Sequence, residues 1–121
     1  MTEQRIAGLT KEEFNAKNSE HGGRLEIFSA STSKGTEIDV IVRPMTRAEY
    51  EKFQADLRKA GQRSESTLVP LGNALRGCLI APSADEFAAQ TESLPAIVEL
   101  FAAELIALAG ADAEVKKKSF R

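Results

Sequence analysis

One cysteine, one histidine, one tyrosine and four prolines in 121 residues leave little material for many kinds of chemistry. A single cysteine closes no internal disulfide, so a reducing compartment is the natural setting. Cys78 and His21 together are too few for an ordinary zinc site. His21 lies in the polar stretch Glu20-His-Gly-Gly23 and reads as a surface-loop histidine, because no nucleophile and orienting group accompany it. Phosphate-cradling glycine loops, dinucleotide fingerprints and nucleophile elbows are absent. Asp85-Glu86 has a simpler use than metal binding, since a helix N-terminus favours carboxylates. Neither sign of charge dominates: the net charge is -2, without the basic excess of a dedicated nucleic-acid binder. Long apolar runs are also missing. Leu94–Ala109 is interrupted by Glu99 and Glu104 and is too short to span a bilayer. Met1–Ile6 is charged and has no apolar centre, so no signal peptide is expected. These absences lead us to expect a cytoplasmic protein that is not an enzyme, with no cofactor, no metal, no nucleic acid and no membrane partner.

What is present is a charge that is unevenly spread. From Gly77 to Val115 there is no lysine or arginine, whereas Asp85, Glu86, Glu92, Glu99, Glu104, Asp112 and Glu114 fall there. Lys116, Lys117, Lys118 and Arg121 follow at once. Two readings stay open. One is an acidic solvated face with a flexible basic tail over 116–121; the other is charge-guided contact with a partner or with a second copy of the chain.

Capping signals set out the elements. Thr10 with Glu13 and Thr46 with Glu49 have capping-box spacing, and Leu9/Phe14 and Met45/Tyr50 stand where hydrophobic staples would. Ser83 with Glu86 forms a third box, with Phe87 as its staple contact. The first box opens a short helix ending near Asn18, and His21-Gly-Gly23 is a loop. Strands are expected over Arg24–Ala30 and Glu37–Arg43, joined by the turn-rich Ser31–Gly35. In the second strand Ile38, Val40 and Val42 alternate cleanly, and Ile41 is out of phase. Helices are expected over about 47–60, 67–80, 84–91 and 94–109. Tyr50, Phe53 and Leu57 stripe the first of these, and Leu68, Leu71, Leu75, Cys78 and Leu79 stripe the second. Cys78 on that stripe reads as a small buried hydrophobe. The expected fold is α+β, mostly α: an N-terminal β-hairpin over about 24–43 packed on a small bundle of about four helices. A single domain over 1–115 follows from the length.

The last helix carries the candidate contact residues. Leu94, Ile97, Val98, Phe101, Leu105 and Leu108 make one apolar stripe, and Leu100 and Ile106 lie outside it on opposite flanks. Apolar residues beyond the main stripe mean either burial on a second side or a partner. Leu100 and Ile106 are therefore the partner-binding candidates.

Val42-Arg-Pro44, Thr46-Arg-Ala-Glu49-Tyr50, Phe53, Cys78-Leu-Ile-Ala-Pro82-Ser-Ala-Asp-Glu86, Pro95-Ala-Ile97 and Leu105-Ile-Ala-Leu-Ala-Gly110 resemble, in order and in kind, the tail assembly chaperones of long-tailed bacteriophages and prophages. The resemblance runs from Leu9 to Gly110. It implies a small non-enzymatic protein of the bacterial host cytoplasm that binds the long tape-measure protein. Such a protein keeps its client soluble while the tail tube is built, and the tail tube protein is a further candidate partner. It also implies a short form and a longer form made by ribosomal frameshifting. Lys116-Lys-Lys118 can reflect an adenine-rich slippery site or simply a soluble basic tail. The alternative functional reading is a structural minor tail or tail-completion protein that stays in the particle.

Overall fold

The chain leaves a strand at Arg43-Pro44 and enters a helix at Thr46, where the capping is complete. Thr46 Oγ1 accepts a hydrogen bond from the Glu49 amide at 3.2 Å, and Glu49 Oε1 accepts one from the Thr46 amide at 2.8 Å. Thr10 and Glu13 repeat this reciprocal pair at 3.2 and 3.1 Å. At Ser83 only half of the expected box forms. Its Oγ accepts from the Glu86 amide at 3.2 Å, while the Glu86 side chain stays exposed and returns no bond.

The structure is a computed structural model and describes residues 4–111 and 113–120, so Asp112 and Arg121 of the charge pattern lie outside the described residues. In chain order the elements are β1 (Arg5–Ile6), β2 (Leu9–Thr10), α1 (Lys11–Glu20), β3 (Glu26–Ser31), β4 (Glu37–Val42), α2 (Arg47–Gln62), α3 (Leu68–Cys78), β5 (Leu79–Ala81), α4 (Ala84–Thr91) and α5 (Pro95–Ile106). A π-turn over Ala107–Ala111 extends α5 and ends where Gly110 takes φ 98°. The fold is α+β and mostly α, as expected. Residues 113–120 carry no regular secondary structure and are exposed.

Two elements depart from the sequence reading. The helix expected over 67–80 stops at Cys78, and Leu79–Ala81 becomes a third strand beside β4, giving the order β3-β4-β5. Leu79 serves either structure, because its side chain packs against the main core from β5 as it would from a helix stripe. The second departure is the small β1-β2 hairpin, which turns at Ala7 (φ 52°) and Gly8 (φ 83°). Positive φ at both central residues suits a tight hairpin turn.

The sheet is covered on its inner face and, around Ile41, on part of its outer face. Its inner face places Ile38, Val40 and Val42 against Leu75, Cys78, Phe87, Ile97, Phe101 and Leu105 from the helices. On the outer face, Ile41 joins Leu25 and Ala81 under Ala7, Leu9 and Phe14. The irregularity of Ile41 thus has a cause. It faces away from Val40 and Val42, yet the N-terminal segment covers it to 1% exposure.

Candidate functional site

The register of α5 places its stripe inward as expected. Ile97, Phe101 and Leu105 are buried, with Leu94, Val98 and Leu108 packed beside them. Leu100, one residue before Phe101, is 60% exposed. Ile106 is half-buried and takes a different direction, since six residues on a helix separate side chains by about 120°. The structure therefore does not join the two candidates in one surface.

Leu100 instead meets β3. It lines an open groove of about 420 Å³ with Ile27, Ser29, Ser31, Phe101 and Glu104, together with Phe28 and Ala30. Ile106 is not part of its lining. Among the described residues β3 pairs with β4 on one side only, so its other edge leaves backbone donors and acceptors without a strand partner there. Ile27 adds a second apolar side chain, 40% exposed. The lining holds no lysine or arginine, and carboxylates border it. Glu104 is the one in the lining; beyond it, Ser29 Oγ lies 2.5 Å from Asp39 Oδ1 and 3.1 Å from Glu37 Oε1, so two acids of the neighbouring strand β4 sit over the outer face of β3. Ile27 and the β3 edge were missed in the sequence. Ile27 shows no feature there that separates it from any alternating strand residue; only the docking of α5 beside β3 makes it part of a surface.

The β4–α2 junction is a structural lock. Arg43 Nη1 and Nη2 donate to Glu49 Oε1 and Oε2 at 2.7 and 2.8 Å, and Nη2 also donates to the Gly77 carbonyl at 2.9 Å. The Arg43 amide donates to the Cys78 carbonyl at 3.0 Å. One carboxylate thus caps α2 and grips the arginine that holds the end of α3. The Arg43 hydrogen bonds, aided by those from Thr46, pull the Glu49 carboxyl down from 4.5 to about 2. Because the folded value is depressed, the stabilisation is complete above pH ~4.5 and fades as pH falls toward about 2. Glu49→Gln is expected to lose about 1–2 kcal/mol at pH 7, the pair being one-third exposed and partly screened. The gap between variant and parent in urea midpoints should narrow steadily from pH 5 to pH 2. A gap independent of pH would show that the charge contributes nothing.

Cys78 is buried at 1% exposure, and burial pushes its thiol up to about 11, so it packs as a hydrophobe and holds no thiolate at neutral pH. His21 caps the C-terminus of α1, its amide donating to the Lys17 and Asn18 carbonyls at 3.2 Å. Gly22 and Gly23 follow at φ 66° and 75°, which explains the glycine pair. Among the described residues, no three histidine, cysteine, aspartate or glutamate side chains gather as a metal site would need. No described helix is long and apolar enough to cross a membrane.

The three-stranded sheet with helices on one face and a short N-terminal cover on the other defines the fold class, and a solved structure shares it. An uncharacterised protein, rbstp2171, from Bacillus stearothermophilus is similar over 87% of this chain and 99% of its own, with a TM-score of 0.63 and 15% identity. At that identity the likeness shows the fold alone. No family model matches the chain, and no curated protein does.

Proposed function

We propose that the chain is a tail assembly chaperone of a long-tailed phage or prophage, which binds the tape-measure protein in the host cytoplasm and keeps it soluble until the tail tube encloses it. The observation that carries this reading beyond resemblance is the groove at Leu100. It offers Leu100 and Ile27 as apolar contacts beside Glu104, in a lining that holds no lysine or arginine. A largely helical client presents an apolar stripe, and a groove between a helix and a strand edge accepts such a stripe without any chemistry. Charged surroundings keep the chaperone itself soluble while the groove is empty.

Co-expression tests this directly. The parent chain is expected to raise the soluble fraction of the tape-measure protein and to be recovered with it in a pull-down. Leu100→Asp should lose most of that effect, with an unchanged thermal midpoint because the side chain is exposed. An insoluble tape-measure protein in the presence of the parent, with no pull-down, would overturn the reading. Mass spectrometry of purified particles separates a chaperone, which should be absent, from a retained tail component.

A further inference from the structure

The groove beside β3 and the basic segment after α5 are complementary in three respects. The first is length. β3 spans six residues, Glu26–Ser31, and exposes its unpaired edge; the segment Glu114–Phe120 is one residue longer, so the two cover about 20 and 23 Å when extended. The second is apolar content. Val115 and Phe120 are 98% and 105% exposed and touch no core, while Leu100 and Ile27 are the exposed apolar residues at the groove. The third is charge. Three consecutive lysines, Lys116–Lys118, follow a stretch that supplies only carboxylates; Glu104 lines the groove, and Asp39 and Glu37 on β4 reach Ser29 over the outer face of β3, one strand in from the free edge.

The alternation of an extended strand makes the match sharper. Successive side chains point to opposite faces. Phe120, Lys118 and Lys116 then share one face, and Val115 and Lys117 share the other. The groove has two flanks of the same composition: Leu100 with Glu104 on the α5 side, and Ile27 with Asp39 and Glu37 on the outer side of the sheet. Each flank pairs an apolar contact with acid, and each face of the segment pairs an apolar side chain with base. In the structure the segment leaves its own body exposed along its length, so it does not fill its own groove.

We infer that residues 114–120 of a second copy of this chain add as a strand to the free edge of β3, with their lysines against Glu104, Asp39 and Glu37 and with Phe120 and Val115 against Leu100 and Ile27. Reciprocal exchange of the two segments closes the pair about a two-fold axis, which limits assembly to a dimer. The segment and the client of the chaperone reading would compete for one groove, but the test below uses the protein alone, so its outcome does not depend on that client.

Analytical ultracentrifugation of the purified full chain, with no other protein present, tests it. At low salt a concentration-dependent monomer–dimer equilibrium is expected, and it should weaken as salt screens the lysine–carboxylate contacts. The triple variant Lys116→Glu, Lys117→Glu, Lys118→Glu should be monomeric. Leu100→Asp should weaken association roughly tenfold or more, as expected for loss of a central apolar anchor. Both variants alter exposed side chains, so unchanged circular dichroism is expected. Combining Glu104→Lys with the triple variant should restore part of the dimer. A chain that is monomeric at every concentration, or a dimer indifferent to the lysine variants, would overturn the inference. So would concentration-independent protection from hydrogen exchange, in the monomer, of the β3 amides that point away from β4, since that would place the segment on its own groove.

Discussion

Phe101→Ala is expected to destabilise the fold by about 3–5 kcal/mol, the range for removing a buried aromatic ring. Phe101 is 2% exposed and is the point where three layers meet. Its ring stacks on Phe28 of the sheet at 6.1 Å between centroids and tilts against Phe87 of α4 at 6.2 Å. Truncation removes both aromatic contacts and leaves a void walled by Phe28 and Phe87, which are held by separate elements. Small domains have total stabilities of about 5–15 kcal/mol, so this single change takes a large share. The thermal midpoint should fall by roughly 12–20 °C. Leu100→Ala is the control one residue away. Its side chain points to the groove, and its loss should stay within about 0.5 kcal/mol. Urea midpoints of the two variants decide the matter: comparable losses would mean that α5 does not present these faces as described.

That contrast also shows why some of the architecture was legible before any coordinates. Capping depends on residues three apart, so Thr10/Glu13 and Thr46/Glu49 announce their helices from local sequence alone. The stripe from Leu94 to Leu108 is equally local, and Leu100 stood apart from it because a helix of fixed pitch has no other place for it. Strand β5 was not legible. Leu79, Ile80 and Ala81 continue an apolar run that a helix would accept, and what makes them a strand is the backbone of Ile41 and Val42 beside them. The same limit hid the groove. Ile27 and Leu100 are 73 positions apart, and only the packing of α5 against the sheet brings them to one surface. Ile106 shows the converse case: an off-stripe position alone did not reveal that it is half-buried and away from that surface.

The Arg43–Glu49 lock explains why the junction is so fully specified in sequence. The helix α2 has to start where the strand ends, because Glu49 is both its cap and the anchor of Arg43. Arg43 in turn ties β4 to Gly77 and Cys78, which sets where α3 stops and β5 begins. The junction therefore shapes the sheet, and through β4 it fixes the position of the β3 edge. The proposed contact surface, that edge with α5, includes none of the junction's own residues.

Ile41→Ala should have the second-largest effect, about 2–4 kcal/mol, with a distinct spatial signature. Ile41 is the centre of the outer cluster, in contact with the layer that holds Leu25 and Ala81 beneath Leu9 and Phe14. An open cleft of about 190 Å³, lined by Ile6, Leu9, Phe14 and Ile27 among others, already borders it. Truncation enlarges that cleft, and because the cleft is open, water can enter and moderate the cost; the lower half of the range is therefore expected. The damage should also be local. β1, β2 and α1 rest on this cluster, whereas α3, α4 and α5 rest on the inner one. Hydrogen exchange should show α1 amides losing protection well before those of α5, as a weakly held unit opens separately. Val40→Ala, the adjacent residue on the inner face and fully buried, should lower protection in α3 and α5 instead. The double variant Ile41→Ala with Phe14→Ala should cost less than the sum of the two singles, because both empty the same cluster. Equal loss of protection in α1 and α5 after Ile41→Ala would show that the two faces of the sheet unfold as one unit and that the outer cover is not a separate layer.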